Sequence, residues 1–337
     1  MLTDSRDKTI SLENSNGLRA VLSTYGASLF QMHVPDRNGK LADVVLGFDN
    51  LEGYQRNADS YFGSTVGRYA NRITKGQFTL NGKTFQLSKQ NGIHLHGGGD
   101  KALSKKIWAI KESSKNHVTF QTSSADGDEG YPGNLDVEVT YTLTAENELK
   151  IAYKATCDQD TIINLTNHSY WNLGGEDSGS ISDHRLQVHA SEYLPWNEDF
   201  SPKDQFSSLD GHPLDFRNEK RLAPLLNDQG QLALTGGVDH SYKLANNTDS
   251  KLAAEYHHPG SGRSMKVWTT EASVHFYTAN HLSQLEGKNA HKYNAYDAIC
   301  FECQNFPDAI NQPEFPSPIL KKDQVFQSLS IYQFSNK

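Results

Sequence analysis

Apolar and polar side chains alternate with a period of two through most of this 337-residue chain, and no other feature restricts its fold as strongly. Val137, Val139, Tyr141 and Leu143 alternate with Asp136, Glu138, Thr140, Thr142 and Thr144. After a turn at Ala145-Glu-Asn-Glu148, Leu149, Ile151, Tyr153 and Ala155 repeat the pattern. Leu186, Val188 and Ala190 predict another short strand. Phe78 and Leu80, then Asn81-Gly82, then Phe85 and Leu87 predict a hairpin. The Asn-Gly pair supplies the positive φ angles that a two-residue type I′ turn needs. No long amphipathic helix is predicted. Leu222 to Leu226 allows one or two turns, limited by Pro224. Many short strands joined by polar loops predict an all-β fold, a large antiparallel sandwich.

Composition narrows the function. Hydrophobic content of 36% supports a large core. No linker, charge block or repeat divides the chain, so residues 1–337 are expected to form one domain. The net charge is −8 and the 32 basic residues are scattered, which argues against nucleic acid as a partner. The polar start, Met1-Leu-Thr-Asp-Ser-Arg-Asp7, does not read as a signal peptide. No stretch approaches the roughly 18 apolar residues of a membrane span, so no membrane partner is expected. Three cysteines make a disulfide framework improbable. A cytoplasmic protein is expected.

The most informative stretch for function is Asn164-Leu-Thr-Asn-His-Ser-Tyr-Trp-Asn-Leu173. A strand starting at Thr161-Ile162-Ile163 would put Ile162, Asn164, Thr166, His168 and Tyr170 on one face. Such a polar face suggests a wet cleft for a ligand with many hydroxyls. His94-Leu-His96 before Gly97-Gly-Gly99 has three readings: a metal pair short of a third ligand, two strand-end hydrogen-bonding histidines, or a ligand loop whose glycines admit close approach. Cys300-Phe-Glu-Cys303 has C-x-x-C spacing, but in a strand those positions face opposite ways, so both cysteines read as packing residues. Glu302 shares the face of Cys300 and Gln304. It is either a solvated sheet carboxylate or a partly desolvated base.

Six motifs then occur in order: Gly67-Arg-Tyr-Ala-Asn-Arg-Ile73, Leu95-His-Gly-Gly98, Gly130-Tyr-Pro-Gly133, Thr166-Asn-His-Ser-Tyr170, Gly237-Val-Asp-His240 and Glu302-Cys-Gln-Asn-Phe-Pro-Asp308. This series resembles the aldose 1-epimerase family, the galactose mutarotases, from about Gly26 to Phe334. The resemblance implies a β-supersandwich, an aldose sugar as small-molecule partner and no cofactor; no metal, and a monomer or homodimer, are expected besides. It implies Glu302 as catalytic base and His168 as general acid. It also implies that His96, Arg72, Asp239 and Phe276 bind the sugar, Phe276 as an apolar wall. The sequence departs from the family at Pro202-Lys-Asp204, where Pro-Thr-Gly is common, at Cys303, commonly Thr, and at Trp171, commonly Phe. The implied reaction interconverts the anomers of free aldohexoses such as galactose and glucose. Two rivals remain: a hexose-6-phosphate 1-epimerase, using Arg68 or a lysine, and a non-catalytic sugar-binding module on the same fold.

Overall fold

The computed structural model describes residues 7–89, 92–226, 232–245 and 249–336. The Met1–Asp7 reading falls, up to Arg6, outside the described residues. The alternating segments pair as expected. Leu135–Leu143 and Glu148–Cys157 run antiparallel, with Val139 opposite Tyr153 and Tyr141 opposite Ile151. Their apolar positions are all buried. Gln77–Leu80 and Lys83–Gln86 form the expected hairpin, with Asn81 at φ 51 and Gly82 at φ 76.

Among the described residues the two largest sheets have nine and six strands. The nine-stranded sheet runs, edge to edge, through Ala109–Ser113, His117–Ser124, Leu135–Leu143, Glu148–Cys157, Val325–Asn336, Arg263–Thr269, Lys251–His257, Arg185–Val188 and Lys220–Arg221. The six-stranded sheet runs through Tyr170–Trp171, Ile299–Gln304, Ser273–Tyr277, Asp239–Lys243, Glu192–Leu194 and Ser207–Ser208. One face of the smaller sheet packs on the larger. Phe276 and Phe301 meet edge to face at 5.2 Å, Tyr256 lies 5.3 Å from Phe301, and Tyr332 donates from its hydroxyl to the Phe301 carbonyl. Burying such aromatic pairs supplies apolar area plus about 0.5–1.5 kcal/mol per pair.

Helix is scarce among the described residues. Ala223–Leu226 forms where one or two turns were expected. Leu51–Arg56 was not foreseen. Its signal was Asn50, whose side chain accepts from the Gly53 N–H as an N-cap. No helix of the described residues is long and apolar enough to cross a membrane.

The strand expected from Thr161 onward is broken into three. Thr161–Ile162 pairs with Ile319–Leu320, Thr166–Asn167 with Thr65–Val66, and Tyr170–Trp171 with Ile299–Cys300. Changing partner every few residues lets the chain weave between layers. Its polar face is therefore split: Ile162 and Thr166 are packed inside, Asn164 ties loops together, and His168 and Tyr170 reach a cleft. Trp171 points the other way, stacking on Tyr332 at 5.1 Å in the core, while Tyr170 takes the cleft side.

Candidate functional site

The cleft of about 460 Å³ opens on the face of the six-stranded sheet that turns away from the core. Alternation decides which side chains reach it. On Ser273–Tyr277, His275 and Tyr277 line the cleft. Phe276 does not. It lies between the sheets, against Tyr242 and Phe301, so the expected apolar wall at Phe276 is corrected. Its neighbours in sequence hold the cleft positions because a one-residue step in a strand crosses the sheet. On Ile299–Gln304, Glu302 faces the cleft while Phe301 and Cys303 face the core. Cys300 shares the side of Glu302, beneath His168 at 3.6 Å. All three cysteines are free and buried.

The motifs knit together to place Glu302 and Arg72. Asn164 accepts from the Asn305 N–H and donates to the carbonyls of Ala70 and Asn305. Tyr69 donates to the Phe306 carbonyl, and the Asp308 N–H donates to the Arg72 carbonyl. Arg68 is wholly interior, and its guanidinium donates to carbonyls of Ser124, Ala125, Pro132 and Gly133. With Nε donating to Ser124 Oγ and Nη1 also to Thr161 Oγ1, all five of its N–H groups are used: it staples the first and third motifs and has no donor left for a phosphate. His168 is held by its backbone, which exchanges hydrogen bonds with Gly63 and Ser64.

The two histidines of His94-Leu-His96 part company. His94 begins the short strand His94–Leu95, buried against the Tyr131 hydroxyl at 2.5 Å and the Ser88 carbonyl at 2.7 Å. His96 turns into the left-handed region at φ 50 and enters the cleft. Strain at such a residue is expected where structure serves a site. Gly97 follows because a Cβ there would collide with the Gly67 backbone. The glycines thus admit another chain segment.

Glu302, His168, His96, Arg72 and Asp239 all line the cleft. His168 Nε2 lies 3.5 Å from Glu302 Oε1, and both side chains are almost fully buried. Among the described residues Glu302 Oε2 has no hydrogen-bond partner. Burial, then the negative charge of Asp239, pushes the Glu302 carboxyl well above its usual range, with Arg72 opposing. Burial pushes His168 down to about 4. Both shifts favour the uncharged pair, with the proton on the carboxyl, in the empty cleft. A single proton transfer then separates Glu302⁻ and His168⁺ from that state.

Aromatic residues missing from the sequence reading stand in the cleft and against Arg72. Tyr61, at φ 55, lies 4.6 Å from the His96 ring and 5.8 Å from His168. Trp196 and Phe200 cover the Arg72 guanidinium at 4.9 and 5.6 Å. They sit on a loop closed by Asn197–Ser201 and Lys203–Pro195 backbone hydrogen bonds, which spans Pro202 and Lys203 of the divergent Pro202-Lys-Asp204. Only the alternation of Val-His-Phe-Tyr277 could have flagged His275 and Tyr277. Tyr61, Trp196 and Phe200 carry no local signal.

Ligand atoms of His96, His168 and Glu302 lie within 4.8 Å of one another, close enough to consider a metal. The His96 tautomer fits a metal poorly. Asn71 N–H donates to His96 Nδ1 at 3.2 Å, so the neutral ring carries its hydrogen on Nε2. Neither nitrogen then offers a free lone pair. Burial holds the His96 pKa well below the usual value, which keeps the ring in that neutral state.

These shifts also predict acid lability. Burial lowers His94, His96, His168, His184 and His240, the last to about 3. The unfolded chain binds their protons as pH falls through about 6.5, whereas the folded chain binds them only later. Stability is thus full above about pH 6.5 and is lost toward pH 4, by roughly 3 kcal/mol for His168 alone. Glu302 and Glu271, the latter raised to about 7, act in the opposite sense: their contribution is lost as pH rises. The histidines outnumber them. The thermal midpoint should fall steadily from about pH 7 to about pH 4.5, the span between the ordinary histidine and carboxylate values. A flat or rising midpoint over that span overturns the reading.

Solved structures share this fold. The aldose epimerase homologue from C. elegans superposes with a TM-score of 0.89 at 29% identity, covering 98% of this chain and 99% of that one. The galactose 1-epimerase from Lactobacillus acidophilus NCFM gives 0.84 at 28% identity, covering 100% and 97%. Fold and cleft therefore define a galactose mutarotase-like β-sandwich, a class of sugar isomerases. The family model for aldose 1-epimerase matches residues 8–333. Galactose mutarotase from Bos taurus is 41% identical over 95% of this chain and 92% of its own length. Aldose 1-epimerase from Escherichia coli K12 is 36% identical over 97% and 95%. The chain belongs to the aldose 1-epimerase family, enzymes that interconvert sugar anomers.

Proposed function

We propose that this chain, acting as one domain in the cytoplasm as a monomer or homodimer, interconverts the anomers of free aldohexoses such as galactose and glucose. Glu302 is the base and His168 the acid. The observation that carries this is the close, buried Glu302–His168 pair on the floor of a polar cleft, 3.5 Å apart. Glu302 takes the proton of the C1 hydroxyl while His168 gives a proton to the ring oxygen. The C1–O5 bond breaks and C1 becomes the aldehyde carbon. Rotation about C1–C2 presents the other carbonyl face. O5 then attacks, His168 recovers its proton from O5, and Glu302 returns one to the carbonyl oxygen. Protons balance over the cycle.

The ion pair that starts this sequence is disfavoured by burial alone. Sugar hydroxyls entering the cleft, with Arg72 beside them, would supply the hydrogen bonds that stabilise it. His96, with its Nε2–H, Arg72 and Asp239 are the sugar-holding groups. The carbon faces of the sugar would lie against Tyr61 and Tyr277.

The 6-phosphate rival has less support. The arginines lining the cleft are Arg56 and Arg72. Arg56 is exposed at the rim and paired with Glu52, and Arg72 stands beside Asp239, whose charge repels a phosphate. A module that only binds sugar has no use for a coupled carboxylate and imidazole. Polarimetry on freshly dissolved α-D-galactose and α-D-glucose, with enzyme before and after dialysis against a chelator, tests the proposal. Accelerated mutarotation is expected, unchanged by the chelator. Activity confined to 6-phosphates, or restored after chelation only by one divalent ion, overturns it.

A further inference from the structure

The six-stranded sheet places two polar side chains in a row with the catalytic base: Ser241 opposite His275, and His275 opposite Glu302. His275 is 1% exposed. Its Nε2 lies 2.7 Å from Asp239 Oδ1 and its Nδ1 lies 2.8 Å from Ser241 Oγ. An ionised carboxylate only accepts, so Nε2 carries the hydrogen and Nδ1 accepts from the Ser241 hydroxyl. Burial works against the Asp239 charge. The hydrogen bond from His275, with the positive charge of Arg72, more than offsets it and keeps the carboxyl ionised. One oxygen of Asp239 is thereby committed to His275.

The other oxygen is not so committed. Asp239 Oδ2 is 3.9 Å from an Arg72 terminal nitrogen, too far for a hydrogen bond. The buried Arg72 Nε also has no hydrogen-bond partner among the described residues. Trp196 and Phe200 cover the guanidinium, and Trp196 Nε1 also donates to the Asp239 carbonyl at 2.5 Å. A donor and an acceptor thus face each other across a gap, each held from behind. A hydroxyl is the group that fits: it accepts from the guanidinium and donates to the carboxylate. A deoxy carbon can do neither.

We infer that His275 is a positioning residue that clamps Asp239 in one rotamer, so that Asp239 and Arg72 form jaws for a single sugar hydroxyl. The inference rests on the sugar-binding role proposed for Asp239 and Arg72. It deepens that role by naming the group recognised and the side chain that sets the recognition. Ser241 acts one step further back, by fixing the His275 tautomer. Because His275 pairs across the strands with Glu302, the jaws are held in register with the base. His275 therefore ties sugar orientation to the reacting C1 hydroxyl without touching it.

His275→Phe keeps a ring of similar bulk and removes the donor. His275→Gln retains an N–H that can reach Asp239. The sugar Kd is read by calorimetry with D-galactose and its monodeoxy analogues, and kcat and KM by polarimetry, on variants shown to be folded by circular dichroism. His275→Phe should weaken D-galactose binding at least about 10-fold, with kcat within about threefold of wild type. In the wild type, loss of one particular hydroxyl should weaken binding by at least about 10-fold. In His275→Phe that penalty should shrink to about threefold or less, and His275→Gln should restore it. An unchanged Kd in His275→Phe, an unchanged deoxy penalty, or failure of His275→Gln to restore it overturns the clamp. Wild-type protein that binds galactose without turnover removes the catalytic reading and leaves the clamp to be judged on Kd alone. Absence of any aldose binding by the wild type overturns both.

Discussion

Glu302→Gln is expected to lower kcat at least about 100-fold while the protein folds normally. The amide has nearly the shape of the carboxyl but cannot accept the C1 hydroxyl proton. The environment of Glu302 makes that loss hard to replace. Its side chain is almost fully buried, and its second oxygen meets no donor among the described residues. No other carboxylate on the same strand faces the cleft, and Asp239 is committed to His275. Folding should survive because the substitution removes a buried ionisable group without removing a hydrogen bond to Oε2. The pH profile gives a second readout. Burial raises the Glu302 pKa and lowers that of His168, so the pair holds one proton over a wide range. The apparent pKa values of kcat/KM belong to the pair. The limb set by loss of the shared proton should disappear in the Gln variant, leaving a low, flatter profile. Near-normal turnover in a folded Glu302→Gln protein would remove Glu302 from the mechanism.

Much of the fold was legible because period-two alternation is a direct imprint of a half-buried sheet. Val137 to Leu143 and Leu149 to Ala155 needed no other information, since each apolar residue meets one across the pair. The Asn81-Gly82 turn was legible through φ alone. The stretch from Thr161 was misread because its alternation is real but its hydrogen-bond partners change twice, and partners are not written in local sequence. The same limit explains the site. Glu302, His168, His96, Arg72 and Asp239 stood in long motifs, and they do share one cleft. Phe276 failed by one position, which in a strand means the other side of the sheet. The Ser241–His275–Asp239 chain joins strands far apart in sequence, so only the assembled register could disclose it.

His168→Asn is expected to cut kcat at least about 100-fold while KM changes much less. Asparagine can still hydrogen-bond to the ring oxygen but holds no proton it can deliver near neutral pH. Arg72, Asp239 and His96 would still grip the sugar, so the loss should fall on the transition state. His96 is the alternative acid, and geometry separates the two. His168 Nε2 stands 3.5 Å from Glu302, close enough for the two to serve O5 and the C1 hydroxyl, neighbouring oxygens on one carbon. His96 receives the Asn71 N–H on Nδ1 and so presents only a fixed N–H on Nε2. That is the form of a hydrogen-bond donor to a sugar oxygen. To act as the acid it would have to become imidazolium, which its burial and the neighbouring His168, Arg72 and His275 all disfavour. His96→Asn retains a donor amide and should therefore raise KM more than it lowers kcat. The opposite pair of results, with His168→Asn raising KM at intact kcat and His96→Asn abolishing kcat, would exchange the roles of the two histidines. The 3.5 Å contact between Glu302 and His168 would then be left without a part in the proton transfers.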